Sequence, residues 1–167
     1  MTKKYYCVDD FRVGAQQRMP RVIFDYVDGA AGFETSSRLN RDIIDQIRLM
    51  PRVLVDIRER ELAKTFLGRT WTLPFGIAPM GMCNLAWPNT DKAFAAAAVD
   101  HDIPVCLSTF GSSSIEDMGE RVAGNGWFQL YVGPSVDDAM DLVQRAEAAG
   151  YEYLLLTVDV PVVSARP

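Results

Sequence analysis

The sequence has little of several features that mark particular classes of protein. Its 167 residues include three cysteines, Cys7, Cys83 and Cys106, and no Cys-x-x-Cys pair. Scattered cysteines of this kind are typical of reduced, small hydrophobic side chains, so neither a disulfide framework nor a zinc site is expected. The chain also has no cluster of basic residues, and its formal net charge is -5. This charge argues against a nucleic-acid partner.

Long apolar runs and linker-like segments are absent as well. No run approaches the ~20 apolar residues that a membrane-spanning helix needs, and no apolar segment of signal-peptide length follows the first lysines. We therefore expect a cytoplasmic protein, with peripheral attachment to the inner face of the membrane left open. There is no low-complexity segment and no linker rich in glycine or serine, which favours a single domain. The only histidine is His101.

Four short runs of consecutive apolar residues organise the chain, and stretches with helical periodicity separate them. Consecutive apolar residues are typical of strands that are covered on both faces, as in a parallel sheet. Strands that alternate with helices at steps of about 25 residues indicate βα units. Each run ends in small or polar residues, at the edge where a (β/α) barrel has its active site. The runs are Phe75–Met80, Pro104–Thr109, Trp127–Val132 and Tyr153–Val158, and the helical stretches are Asp91–Val99, Ser114–Val122 and Val136–Ala149.

The residues before the first run are predicted to be mostly helical. One helix is capped by Asp9 or Asp10, a second follows Pro20, and a third covers Glu34 to Ile47, before a short hairpin around Gly68. We predict one incomplete domain, with the helices and hairpin in 1–73 and the βα units in 74–167.

Two architectures could contain four such strands. A (β/α)8 barrel has eight strands and typically ~250 residues, so the chain would supply its N-terminal half. A doubly wound sheet could be complete near this length, but no G-x-G-x-x-G follows the first strand. The pattern therefore favours the N-terminal half of a TIM barrel, with four parallel strands and their helices preceded by N-terminal helices. A complete flavodoxin-like module is the weaker alternative.

Seven motifs in register resemble one family of flavoenzymes. They resemble the FMN-dependent α-hydroxy-acid dehydrogenases and oxidases, such as glycolate oxidase, mandelate dehydrogenase and flavin-linked L-lactate dehydrogenase, in their N-terminal half. The motifs are Phe24–Ala30, Asn40–Asp42, Pro51–Asp56, Ile77–Gly81, Leu107–Thr109, Trp127–Tyr131 and Leu156–Pro161.

The resemblance implies FMN as cofactor and oxidation of an (S)-2-hydroxy acid to the 2-keto acid, by hydride or carbanion transfer to the flavin. FMN carries the redox chemistry, while the protein binds and orients the reactants. Backbone at the end of the first strand would lie against the flavin ring, and polar side chains at the ends of the next three strands would bind its edge. The implied flavin contacts are Pro79, Met80, Gly81, Ser108, Gln129 and Thr157.

The resemblance also implies residues on the substrate side. Tyr26 and Tyr131 match tyrosines that face the substrate, and Phe110 matches a substrate-lining position. Arg166 matches an arginine that could bind the substrate carboxylate in two places. Asp159 matches a carboxylate that orients the catalytic histidine, and its place after an apolar run predicts that it is buried.

The chain departs from the family in ways that affect function. Met80 stands where most relatives have threonine, and the residues before Pro167 differ from the usual loop. The catalytic histidine, its neighbouring arginine, a lysine near the flavin and the phosphate site all belong to the later half of the family's sequence. His101 is expected to be structural. We therefore expect the 167 residues alone to be inactive.

Several alternatives stay open at this point. The chain could be a catalytically inactive half-barrel with a structural or interaction role. Gly81, where some relatives have alanine, favours a dehydrogenase slightly over an oxidase. The electron acceptor could be oxygen, a quinone or a cytochrome, and the substrate could be of the lactate, glycolate or mandelate type. A complete enzyme of this kind is expected to form a homo-oligomer.

Overall fold

The structure is a computed structural model that describes residues 5–159 and Ala165. Contacts between residues divide the described chain into two compact units, one formed by 5–56 with Ala165 and the other by 57–159. The expected single domain with an internal boundary at residue 73 stays a prediction.

The first unit contains three helices, α1 (Val8–Gln16), α2 (Arg21–Asp28) and α3 (Thr35–Gln46). The predicted cap of α1 was wrong, because the helix begins directly after Cys7. Asp10 instead lies in the first turn, where its Oδ2 accepts a hydrogen bond of 3.3 Å from the backbone N–H of Cys7. A carboxylate in this position satisfies a backbone donor that the helix itself leaves unpaired.

The first strands of the second unit form the predicted hairpin. Strands β1 (Lys64–Phe66) and β2 (Arg69–Trp71) pair in antiparallel register. Gly68 lies in the connecting turn with φ at +80°, a conformation that glycine adopts without steric cost.

A four-stranded parallel sheet and its helices make up the rest of this unit, as predicted. The strands are hydrogen-bonded in the order β3-β4-β5-β6, so each strand pairs with its neighbour in the sequence. A doubly wound sheet reverses its strand order part-way across, whereas a barrel does not. The elements are β3 (Ile77–Met80), α4 (Cys83–Ala86), α5 (Thr90–Asp100), β4 (Val105–Ser108), α6 (Ile115–Val122), β5 (Gly126–Tyr131), α7 (Val136–Ala148) and β6 (Tyr153–Thr157).

The core lies between the sheet and its helices. Alternate residues of β4 and β5 belong to one buried cluster with small and apolar residues of α5, α6 and α7. Phe128 and Met118 are its largest fully buried side chains. Burying a side chain of this size contributes about 1.5–3 kcal/mol to the free energy of unfolding. This packing fixes the sheet that carries the candidate site.

Burial differs between the inner and outer strands of the sheet. Every residue of β4 is buried, as expected for a strand covered on both faces. The same expectation was wrong for β3 and β6, which alternate between partly buried and exposed residues. Leu154 and Leu156 of β6 are 48% and 55% exposed, because no described element covers them. None of the described helices has the length and hydropathy needed to cross a bilayer.

Candidate active site

The four parallel strands end together at one edge of the sheet. Because all four run in the same direction, their carboxyl ends lie side by side. Their last residues are Met80, Ser108, Tyr131 and Thr157. The structure therefore brings the predicted strand-end positions to a common edge.

Gln129 is at the centre of a hydrogen-bond network along this edge. Its Oε1 accepts from Ser108 Oγ at 2.9 Å and from the backbone N–H of Thr109 at 3.2 Å. Its Nε2 donates to Thr157 Oγ1 at 2.8 Å. Ser108 and Gln129 are only 6% and 3% exposed, so these bonds satisfy polar groups that would otherwise be costly to bury. The network connects β4, β5 and β6.

Thr109 connects β4 to β5 through its side chain, a role that the sequence analysis did not assign. Its Oγ1 donates to the backbone oxygen of Gln129 at 2.7 Å and accepts from the backbone N–H of Tyr131 at 3.0 Å. The only signal in the sequence is that Thr109 directly follows Ser108 in one of the family motifs.

Gly81 and Phe110 lie in close contact beside this network. A Cβ atom on Gly81 would lie 3.1 Å from Phe110 Cβ, so even alanine would press on this neighbour. Phe110 is 60% exposed, and its ring lies 5.5 Å from the Tyr131 ring, measured between centroids. The two rings form an aromatic wall next to Gly81, which has no side chain.

A buried carboxylate that was not predicted from the sequence anchors the loop that carries Phe110. Asp91 is 4% exposed, and its Oδ2 accepts from the backbone N–H groups of Ser112 and Ser113 at 2.8 and 2.9 Å. Its position in the first turn of α5 looks like ordinary helix-end electrostatics, so the sequence offers no clear signal of this tertiary role.

Comparison with known proteins assigns the chain to a family. Residues 15–167 match the sequence model of the family described as FMN-dependent dehydrogenase. The chain belongs to this family.

Named relatives agree with the assignment. The chain is 39% identical over 166 residues to (S)-mandelate dehydrogenase of Pseudomonas putida, covering 99% of this chain and 42% of that protein. It is 41% identical over 160 residues to a putative L-lactate dehydrogenase of Mycobacterium tuberculosis, covering 95% of this chain and 39% of that protein. With 2-hydroxyacid oxidase 2 of Rattus norvegicus the identity is 34% over 161 residues, covering 96% of this chain and 46% of that protein.

A solved structure confirms the fold. An oxidised active mutant of (S)-mandelate dehydrogenase superposes with a TM-score of 0.93 at 39% identity, covering 98% of this chain and 46% of that one. The chain thus spans less than half the length of these relatives, and its fold is the N-terminal part of their TIM barrel.

The residues at the sheet edge fit the cofactor of the family, which is FMN-dependent. The bond from Gln129 Nε2 to Thr157 uses one of the two hydrogens of the amide nitrogen. The second hydrogen and the hydroxyl hydrogen of Thr157 suit the acceptors of the flavin pyrimidine edge, which both accepts and donates hydrogen bonds. The Ser108 hydroxyl already donates to Gln129 and accepts from the backbone N–H of Phe110 at 3.2 Å, so it offers that edge only its remaining lone pair. Because Gly81 has no Cβ, there is space beside Phe110 that any other side chain would reduce. Among the predicted ring contacts, Pro79 is partly buried and Met80 is 43% exposed.

Three further residues were predicted on the substrate side, namely Asp159, Tyr26 and Arg166. Asp159 follows β6 and is exposed, so the expectation that it is buried was wrong: no described element covers the residues at this end of β6. Tyr26 lies on α2 in the first unit and is 50% exposed. Arg166 lies outside the described residues.

Four other ionisable residues of the second unit have no proposed role in the site. His101 follows α5 and is exposed. Burial raises the pKa of the Cys106 thiol to about 12. In the first turn of α6, a hydrogen bond from Arg145 lowers the pKa of Glu116, and one from Arg121 lowers that of Asp117. Asp117 forms an ion pair with Arg121 of α6, and Glu116 forms one with Arg145 of α7.

Proposed function

We propose that this chain is the N-terminal half of an FMN-dependent enzyme that oxidises an (S)-2-hydroxy acid to the 2-keto acid. It acts only together with the C-terminal half of the barrel. The observation that carries the proposal is the Ser108–Gln129–Thr157 network at the carboxyl edge of the sheet. Bound FMN supplies the two-electron oxidation, and the protein supplies binding, orientation and proton transfer.

Each residue of the edge has a proposed task toward the flavin. Ser108, Gln129 and Thr157 bind the pyrimidine edge of the ring. The backbone of Pro79 to Gly81 lies against the ring, and this backbone contact tolerates methionine at position 80. Gly81 keeps the substrate side of the ring open because it has no side chain.

The substrate lies between the ring and the aromatic wall. Tyr131 and Phe110 provide the wall, and the Tyr131 hydroxyl can donate to an oxygen of the substrate. Tyr26 and Arg166 bind the substrate carboxylate. Asp159 orients a histidine of the C-terminal half and stabilises its protonated form when it removes the substrate proton. An exposed Asp159 in this chain is compatible with that task, because its partner belongs to the other half.

A dehydrogenase is slightly favoured over an oxidase, because Gly81 stands where some relatives have alanine. The electron acceptor is oxygen, a quinone or a cytochrome. Phe110 beside Gly81 fits a 2-hydroxy acid with an aromatic or medium-sized side chain as well as lactate.

One relative is described as a monotopic membrane protein, (S)-mandelate dehydrogenase. We place this protein in the cytoplasm, with attachment to the inner face of the membrane as the alternative, and the complete enzyme as a homo-oligomer.

A hybrid protein tests the proposal. The 167 residues are fused to the remaining C-terminal part of the P. putida (S)-mandelate dehydrogenase, which is 39% identical over the matched region. We expect the hybrid to purify with FMN and to bleach its flavin absorbance when an (S)-2-hydroxy acid is added. The 167 residues alone should bind no FMN, because the phosphate site is on the other half.

Controls separate misfolding from lack of function. If the fusion does not give a cooperative thermal transition, the two halves are co-expressed as separate chains. A folded hybrid without flavin, or one whose flavin no 2-hydroxy acid reduces, would overturn the proposal. A yellow preparation of the 167 residues alone would overturn the dependence on the second half.

The second candidate is a catalytically inactive half-barrel with a structural or interaction role. It is favoured by the exposure of Leu154 and Leu156 on β6, an edge strand among the described residues. Such a surface associates with other chains. The hybrid decides between the two candidates, because an inactive remnant would not support flavin reduction.

A further inference from the structure

Beyond the end of β4, two backbone groups of β5 have no partner in the strand pairing, and one side chain forms hydrogen bonds with both. Strand β4 ends at Ser108, which pairs with Gln129. The next groups along β5 that face β4 are the oxygen of Gln129 and the N–H of Tyr131. The hydroxyl of Thr109 binds both, donating to the first at 2.7 Å and accepting from the second at 3.0 Å. It thereby replaces the backbone of a longer strand.

Thr109 also determines which way the amide of Gln129 faces. Its backbone N–H can only donate, and it lies 3.2 Å from the atom that accepts, Gln129 Oε1. With the oxygen directed to β4, the nitrogen is directed to β6, where it donates to Thr157 Oγ1. Since this oxygen accepts, the hydroxyl hydrogen of Thr157 is left to donate elsewhere. The edge therefore presents two donors, this hydrogen and the second hydrogen of Gln129 Nε2.

We propose that Thr109 is a positioning residue that aligns the flavin-binding and substrate-binding sides of the site together. Its hydroxyl holds its own backbone against β5, which keeps the Gln129 amide in the donating orientation. The same hydroxyl holds the backbone of Tyr131, whose ring is part of the substrate wall. This inference rests on the proposed function for its consequences, although the bridge itself exists in the chain without cofactor.

Two donors at the flavin-binding edge would have a predictable effect on the midpoint potential of the flavin. The reduced ring carries more negative charge than the oxidised ring, so hydrogen-bond donors stabilise the reduced state more. If loss of the Thr109 hydroxyl lets the Gln129 amide leave its donating orientation, the flavin midpoint potential should therefore fall. If the same loss moves the Tyr131 ring, KM for the substrate should rise. A residue that served stability alone would leave the potential unchanged.

Three variants test the inference in the 167-residue chain and in the flavin-containing hybrid. Thr109→Val keeps the shape of the side chain and removes the hydroxyl, whereas Thr109→Ser keeps the hydroxyl. Thr70→Val is the matched control, because the Thr70 hydroxyl lies in the exposed hairpin, 2.9 Å from that of Thr65. Hydrogen exchange of the peptide that contains Tyr131 is measured by mass spectrometry, and the midpoint potential by spectroelectrochemistry.

We expect the Tyr131 amide to exchange about tenfold faster in Thr109→Val, corresponding to the loss of one hydrogen bond. The potential of the hybrid should fall in the same variant. Thr109→Ser should restore both, and Thr70→Val should change neither. Wild-type exchange and potential in Thr109→Val would overturn the inference, and so would a serine variant that behaves like valine. If the hybrid takes up no flavin, the proposed function fails, while the exchange measurement still decides whether Thr109 forms the bridge.

Discussion

Individual residues at the sheet edge differ in burial and in hydrogen bonding. Ser108 and Gln129 are buried and bonded to each other and to neighbouring strands. Phe110 and Asp159 are exposed. Ser108 and Gln129, proposed to bind the flavin, are thus held in place by this chain itself, whereas Phe110 and Asp159, proposed to act on the substrate side, are exposed to solvent. This difference predicts separate effects of mutating the two sets.

In the active hybrid, Tyr26→Phe and Asp159→Asn should change different kinetic quantities. Loss of the Tyr26 hydroxyl should mainly raise KM, by roughly the 1–2 kcal/mol of one hydrogen bond to a charged group. Asp159→Asn should mainly slow flavin reduction, because the histidine that becomes charged in the transition state loses its counter-charge. Stopped-flow reduction by a 2-hydroxy acid measures both. If Asp159→Asn binds FMN normally and its flavin is reduced at the wild-type rate, Asp159 does not have the proposed role of orienting the histidine.

The three cysteines should react with a thiol reagent at very different rates. Cys7 is exposed, Cys83 is partly buried, and Cys106 is buried. With a pKa of about 12, roughly one Cys106 thiol in ten thousand is ionised at pH 8. Burial also raises the pKa of Cys83. We expect Ellman's reagent at pH 8 to label Cys7 quickly, Cys83 slowly, and Cys106 only after denaturation in guanidinium. Equal fast labelling of all three would contradict this packing.

At the scale of elements, Asp91 connects α5 to the loop after β4. Asp91→Ala removes the acceptor of two backbone N–H groups and should lower the free energy of unfolding by about 2–3 kcal/mol. Asp91→Asn keeps one oxygen and should cost less. Asp137→Ala is the matched control, an exposed acid in the first turn of α7, where about 0.3–1 kcal/mol is expected. Urea denaturation gives the values, and equal losses at both positions would refute the anchoring role.

The elements themselves could be predicted well from the sequence, because their signals are local. Helical periodicity and Pro20 predict a helix that starts directly after Pro20, and the structure has α2 at Arg21–Asp28. The partners of buried polar groups were harder to predict, since they come from distant parts of the chain. That Gln129 needs partners follows from its place in a buried strand, but the Thr109 bridge follows only from the register of β4 and β5. The exposure of β6 was missed because an apolar sequence does not reveal whether anything covers it.

At the scale of the whole molecule, the sheet has two unpaired edges among the described strands. Both β3 and β6 have a single neighbouring strand, and β6 also exposes its outward leucines. A barrel removes such edges by closing on itself, which this chain can do only with further strands. The chain spans 42% of the P. putida relative, consistent with four strands of eight.

The open side of β6 predicts self-association of the 167-residue chain. Leu154 and Leu156 are exposed on an edge strand, and surfaces of this kind pair with other chains. Sedimentation velocity over a range of concentrations should show oligomers or aggregates, and Leu154→Lys with Leu156→Lys should shift the distribution toward monomer. The control is Val136→Lys, at an apolar residue 67% exposed at the start of α7, which should leave the distribution unchanged. If the unmodified chain sedimented as one monomer with a cooperative thermal transition, β6 would not be the open side of an incomplete barrel. In the hybrid the same leucines should be covered by the C-terminal half, so the double lysine variant should there impair folding and flavin uptake instead.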